Sequence, residues 1–249
     1  DLFFGVFMTT DRVNHFLFRD YEEGGEYRED FLAFYRDVDD ALGRLRGALA
    51  DDVSLVVASD HGFTTLDYEF HANEWLRREG WLAFGGDDHE GLGDIADETR
   101  AYSLIPGRFY LNLEGREPRG SVPEADYESV RDELKAAIEA IEGPEGRPVV
   151  DRVVEREDAF EGDHVDIAPD LVAIPNDGFD LKAGFSGHDA VFDTGPRDGM
   201  HTFANASLFL DEPGADVDGA DLYDVAPTVL SLMELDYDRT AFEGQSLAG

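Results

Sequence analysis

The sequence predicts an α/β fold, a mostly parallel sheet flanked by helices and interrupted by a smaller inserted α+β cap lobe. Three observations carry that expectation. Short apolar runs bounded by turn residues recur at residues 2–8, 53–58, 171–174 and 206–210. Amphipathic helical stretches lie between several of them, and the pattern changes character across residues 85–166.

The first run, Leu2-Phe3-Phe4-Gly5-Val6-Phe7-Met8, reads as a buried strand. A core strand rarely opens a domain this abruptly, so a longer parent chain with further N-terminal structure is expected. Residues 30–49 place Phe31, Phe34, Val38, Leu42, Leu45 and Leu49 on one helical face, suiting a crossover between the first two strands. Within the cap, residues 108–113 alternate like a half-exposed strand, 124–141 are helical and 149–154 form another strand; Gly143, Pro144 and Gly146 punctuate the stretch between the last two. The last helix is signalled by residues 221–233, with Pro227 in the first turn of its main segment, where a missing N–H is harmless. The core is thus expected at residues 1–84 and 167–249, and the cap at 85–166.

Composition narrows the chemistry. The 249 residues hold no cysteine, so a transition metal here must be held by imidazole and carboxylate. A net charge of -37, spread along the chain, repels phosphate backbones and argues against nucleic-acid polymers bound through basic patches. Its plainest reading is surface adaptation to high salt, where ions screen self-repulsion. No apolar run is long enough to cross a bilayer and no leader pattern is present, so no membrane partner and a cytoplasmic location are expected.

Three clusters flank the candidate strands. Asp11 and His15, four apart at the start of a helical turn, can aim a carboxylate and an imidazole at one point; the same spacing also suits an N-capping Asp beside a surface His. Ser59-Asp60-His61-Gly62 ends an apolar strand in a tight turn, placing two metal-type ligands on adjacent residues; alternatively Asp60 bonds turn amides. Asp198-Gly199-Met200-His201 precedes the strand at 206–210, with Gly199 permitting close backbone approach; a plain loop histidine is the other reading.

That order of motifs, followed by the Asp224-Val225-Ala226-Pro227-Thr228-Val229-Leu230 helix, resembles the alkaline phosphatase superfamily, and within it the type I phosphodiesterase/nucleotide pyrophosphatase branch. Residues 242–247 are similar to that branch's Asp-Gly-x-Ser-Leu ending, with Glu243 in place of Asp. The resemblance implies an alkaline-phosphatase-like fold and two divalent metals, zinc with manganese as the alternative. One metal is then held by Asp11, His15 and His201, the other by Asp60 and His61 with ligands expected upstream of Asp1. An attacking Thr or Ser is expected upstream too.

The implied reaction is an in-line displacement on a small phosphoester or nucleotide, in which the metal pair clamps the phosphoryl oxygens. Arg12, Asn14 and His188 are candidates for contacting substrate. His89 and His164 read as solvated, and Asn73 as a helix cap. Two further readings share the ligand pattern: a cofactor-independent phosphoglycerate mutase or phosphopentomutase, and a truncated chain that binds metal without catalysis.

Overall fold

The expected first strand is the element that differs most. In the computed structural model, which describes residues 1–86, 90–185 and 189–248, residues 1–7 lie in no strand and Met8 opens a helix. Phe3 is 85% exposed and Phe4 82% exposed, with Leu2, Val6 and Phe7 also exposed, so these side chains are not core. A strand is held by backbone bonds to a neighbour, and among the described residues no strand pairs with this segment.

The helices are α1 (Met8–Glu23), α2 (Arg28–Ala48), α3 (Ala72–Arg78), α4 (Tyr127–Glu139), α5 (Arg156–Ala159) and α6 (Val225–Leu232). The strands begin with β1 (Leu55–Ala58), β2 (Gly62–Thr65), β3 (Tyr68–His71), β4 (Ala101–Ile105) and β5 (Arg108–Leu111). They continue with β6 (Val150–Glu155), β7 (Leu171–Pro175), β8 (Phe179–Lys182), β9 (Phe192–Asp193), β10 (Gly199–Thr202) and β11 (Leu208–Asp211).

The mostly parallel sheet is corrected. The described strands form small sheets in the orders β1-β11, β10-β2, β8-β3-β9 and β4-β5-β7-β6. Every pair is antiparallel except β3 with β8. Apolar runs locate strands, whereas direction is set by the connections. The turn from β4 to β5 shows why: Gly107, at φ 72°, closes a hairpin too short for the crossover that parallel neighbours require.

Two compact units are present, Asp1–Thr65 with Arg197–Gly249, and Leu66–Pro196. In the first, α1 ends at Gly24, whose left-handed φ of 78° lets the chain turn into α2. The predicted face of α2 forms, but only Phe31 on it is buried, and with no strand at residues 2–8 the helix is not a crossover. Its core is thin and aromatic: Tyr21 stacks on Phe31 at 4.7 Å between ring centres, and Phe18 lies 5.9 Å from Phe63. In α6, Pro227 sits in the first turn as expected, and the chain ending packs back on this helix through Leu247 N–H to Thr228 Oγ1.

The second unit holds the larger core. α4 packs on the four-stranded sheet, and Phe70, Phe109, Phe179, Leu134, Ile138 and Leu171 are fully buried. Asp170, also fully buried, accepts from Leu111 N–H at 2.7 Å, Tyr127 Oη at 2.8 Å and both terminal nitrogens of Arg116. Arg156 adds a further contact, so the buried charge is compensated on every side. Asn73 is not the cap of α3: that position is His71, and the Asn73 amide instead bonds the Ser103 backbone N–H and C=O. Among the described residues no helix is long and apolar enough to cross a membrane.

Candidate metal centre

All five expected ligands lie in the first unit. Asp11 and His15 sit one helical turn apart on α1, with Nε2 of His15 3.6 Å from Asp11 Oδ1. The Nδ1 of His15 lies 2.9 Å from the Gly199 carbonyl. A carbonyl only accepts, so Nδ1 carries the proton and the Nε2 lone pair points into the cluster.

α1 and β10 are joined tightly enough to explain that contact. The N–H of Asp198 donates to His15 O at 2.9 Å, and Asp198 Oδ1 accepts the N–H of Phe18 at 3.1 Å. A side chain on Gly199 would run into the Asn14 carbonyl, which is the close approach the sequence suggested there. Burial pushes the Asp198 carboxyl above its usual range, against the pull of the Phe18 and Arg19 amides.

His61 leaves β1 in the expected turn. Its Nδ1 is 3.1 Å from the Gly62 carbonyl, which again fixes the proton there and frees Nε2. Gly62 is required for closeness, since a Cβ would strike the Ala204 carbonyl. β2 and β10 pair with Phe63 opposite His201. Phe63, 7% exposed, forms an apolar floor whose ring meets His15 and His201 edge-on at 5.0 and 5.1 Å.

On this floor the imidazoles of His61 and His201 stack at 3.7 Å between ring centres, and His201 Nε2 reaches Asp11 Oδ1 at 3.0 Å. One ligand atom from each of Asp11, His61 and His201 lies within 4.8 Å of the others. Ligands of a tetrahedral zinc ion stand roughly 3.3 Å apart, given bonds of about 2.0 Å. Burial and the neighbouring His61 lower the His201 pKa, partly opposed by Asp11. A neutral imidazole with a carboxylate at hand is the form that accepts a divalent cation.

The remaining expected residues are placed differently. The His15 ring is 4.9 Å from that of His201, beside the trio. The Asp60 side chain is 81% exposed, and its Oδ1 is 3.5 Å from His61 Nε2. Arg12 is exposed on α1, and the Oδ1 of Asn14 accepts from the Tyr35 hydroxyl at 2.9 Å. His188 and His89 lie outside the described residues, and His164 is exposed. Sequence reasoning missed the roles of Asp198, Tyr35 and Asn205, which hold ligand-bearing segments together. Asp198 stood inside a recognised cluster, while Tyr35 and Asn205 gave no signal beyond being polar.

The family model for type I phosphodiesterase / nucleotide pyrophosphatase matches residues 1–204. The chain belongs to this family. The matched span contains all five candidate ligands of the phosphodiesterase/nucleotide pyrophosphatase chain, from Asp11 to His201. No curated protein and no solved structure matches it. The ending at 242–247 lies beyond the family match; there, Gly244 fits against the Tyr223 carbonyl and Gln245 N–H bonds Asp224 Oδ1.

Proposed function

We propose that this chain is the metal-binding part of a hydrolase of phosphate esters, of phosphodiesterase or nucleotide pyrophosphatase type, acting on a small phosphoester or nucleotide. The observation that carries the reading is the convergence of Asp11, His61 and His201, from a helix, a turn and a strand far apart in sequence. Family membership supplies the reaction class.

The donor set fits a divalent cation of the zinc or manganese kind: imidazole nitrogens whose other ring nitrogen is occupied by a carbonyl, next to a carboxylate. In this reading Asp11, His15 and His201 hold one cation, and Asp60 and His61 contribute to a second. Bound there, such cations supply Lewis-acid stabilisation of phosphoryl charge. The chain's own residues do the preparatory work. The carbonyls of Gly199 and Gly62 orient His15 and His61, Phe63 limits water beneath the rings, and partial desolvation with the neighbouring His61 shifts His201 toward its neutral form. In a chain of net charge -37, local positive charge at this centre also offsets the field that repels a phosphate. Exposed Arg12, one residue from Asp11, is the nearest side chain of matching charge in sequence, and we assign it to phosphoryl oxygens.

The test is a pair of measurements on the same preparations. Calorimetric titration should show zinc or manganese bound by the protein and bound more weakly, with lower stoichiometry, in His61→Ala. Turnover of bis-p-nitrophenyl phosphate by the complete protein should fall by orders of magnitude in that variant, with the far-UV circular dichroism retained. Unchanged turnover in His61→Ala defeats the assignment.

A further inference from the structure

Asn205 lies four residues beyond His201 and does what a neighbouring strand would do for Phe63. Its Oδ1 accepts the Phe63 N–H at 3.0 Å, and its Nδ2 donates to the Phe63 carbonyl at 2.8 Å. The backbone at Asn205 has φ 54°, in the left-handed region that Asn tolerates better than most residues. That conformation brings the side chain back toward β2, close to Gly62, where any Cβ would meet Asn205 Oδ1.

A second clamp closes the other side of the same turn. The Ser59 N–H donates to Ser207 O at 2.9 Å, and the Ser207 N–H donates to Ser59 Oγ at 2.7 Å. Asp60 and His61 are therefore held between two fixed points, Ser59 and Phe63, and both are fastened to the segment that follows His201. His61, in this turn, and His201 stack at 3.7 Å between ring centres.

We propose that Asn205 is a positioning residue that sets His61 against His201 before a cation arrives. It touches neither cation nor substrate, and acts by making the turn and the strand one rigid piece, which removes the ordering cost from binding. The inference rests on reading Asp11, His61 and His201 as cation ligands.

Asn205→Gly tests it, because glycine keeps the left-handed backbone and deletes only the amide. In calorimetric titration with zinc, the variant is expected to bind about 10- to 100-fold more weakly than the parent, the range for groups that orient ligands. In chelator, NMR should show the through-space contact between the His61 and His201 rings in the parent and its loss in the variant. The unmodified protein offers a check that does not depend on the variant folding. With zinc chelated, the Phe63 amide should exchange slowly with solvent, as Oδ1 of Asn205 occupies it. Equal zinc affinity in parent and variant overturns the proposal, as does rapid exchange at Phe63. Failure of the parent itself to bind zinc or manganese is a different result, and overturns the metal-centre reading instead.

Discussion

Asp198 takes the backbone N–H of Phe18 from the middle of α1, 3.1 Å from its Oδ1, while its own N–H is given to His15 O. The carboxylate thereby fastens the helix bearing Asp11 and His15 to the strand bearing His201. Asp198→Ala is expected to cost about 0.5–1.5 kcal/mol, the usual net worth of a part-buried hydrogen bond. Asp198→Asn keeps an acceptor and removes a charge that burial disfavours, so its melting temperature should equal or exceed the parent's at neutral pH. Equal losses in both variants would contradict this account; thermal unfolding of the pair decides.

Cation binding should be visible as stability. Zinc at roughly 100 times its dissociation constant raises unfolding free energy by about 2.7 kcal/mol for one site. Asp11→Asn and His201→Ala should abolish the rise in melting temperature, and chelator should return the parent to its metal-free value. A zinc-dependent shift of unchanged size in both variants excludes these residues as ligands.

How much of this was legible beforehand follows from what each residue signals locally. Asp11, His61 and His201 stand beside apolar runs or helical spacing, and their chemistry named them. The span of α4 and the alternation of β5 were equally plain, because burial of one face imposes a period. The direction of strand pairing was not plain, since a run such as 171–174 reads identically in either sense. Nor was the fate of Phe3 and Phe4: hydrophobicity states a capacity for burial and names no partner. Asn73 misled for a related reason, as its amide serves Ser103, distant in sequence, and not the end of the helix it lies in.

Asp170 anchors the second unit. Removing it by Asp170→Ala leaves Arg116 and Arg156 without their buried counter-charge, and should destabilise that unit by about 3–5 kcal/mol. Asp170→Asn should cost less, because Tyr127 and Leu111 can still donate to it. Chemical denaturation followed by tryptophan fluorescence reports this directly, since Trp75 and Trp81 are buried in that unit.

Alkali should weaken the same unit. Burial, reinforced by the hydrogen bond to Asp170, pushes the Tyr127 hydroxyl up to about 12 from an ordinary 10. The unfolded chain releases this proton first, so the contribution is intact below pH 10 and declines as pH rises toward 12. Denaturation midpoints across that window should fall for the parent and fall less steeply for Tyr127→Phe. Parallel slopes would remove Tyr127 as the cause.

The division at Thr65 and Arg197 carries a consequence for the order of events as the polypeptide matures. The unit between those points is one unbroken stretch, whereas Asp11 and His61 meet His201 only across that whole span. Until the intervening stretch is collapsed, bringing the two ends together carries the full entropy of closing a long flexible loop. The expected sequence is that residues 66–196 acquire hydrogen-exchange protection early and the histidine pair assembles last, so cation affinity should emerge only at the end of refolding.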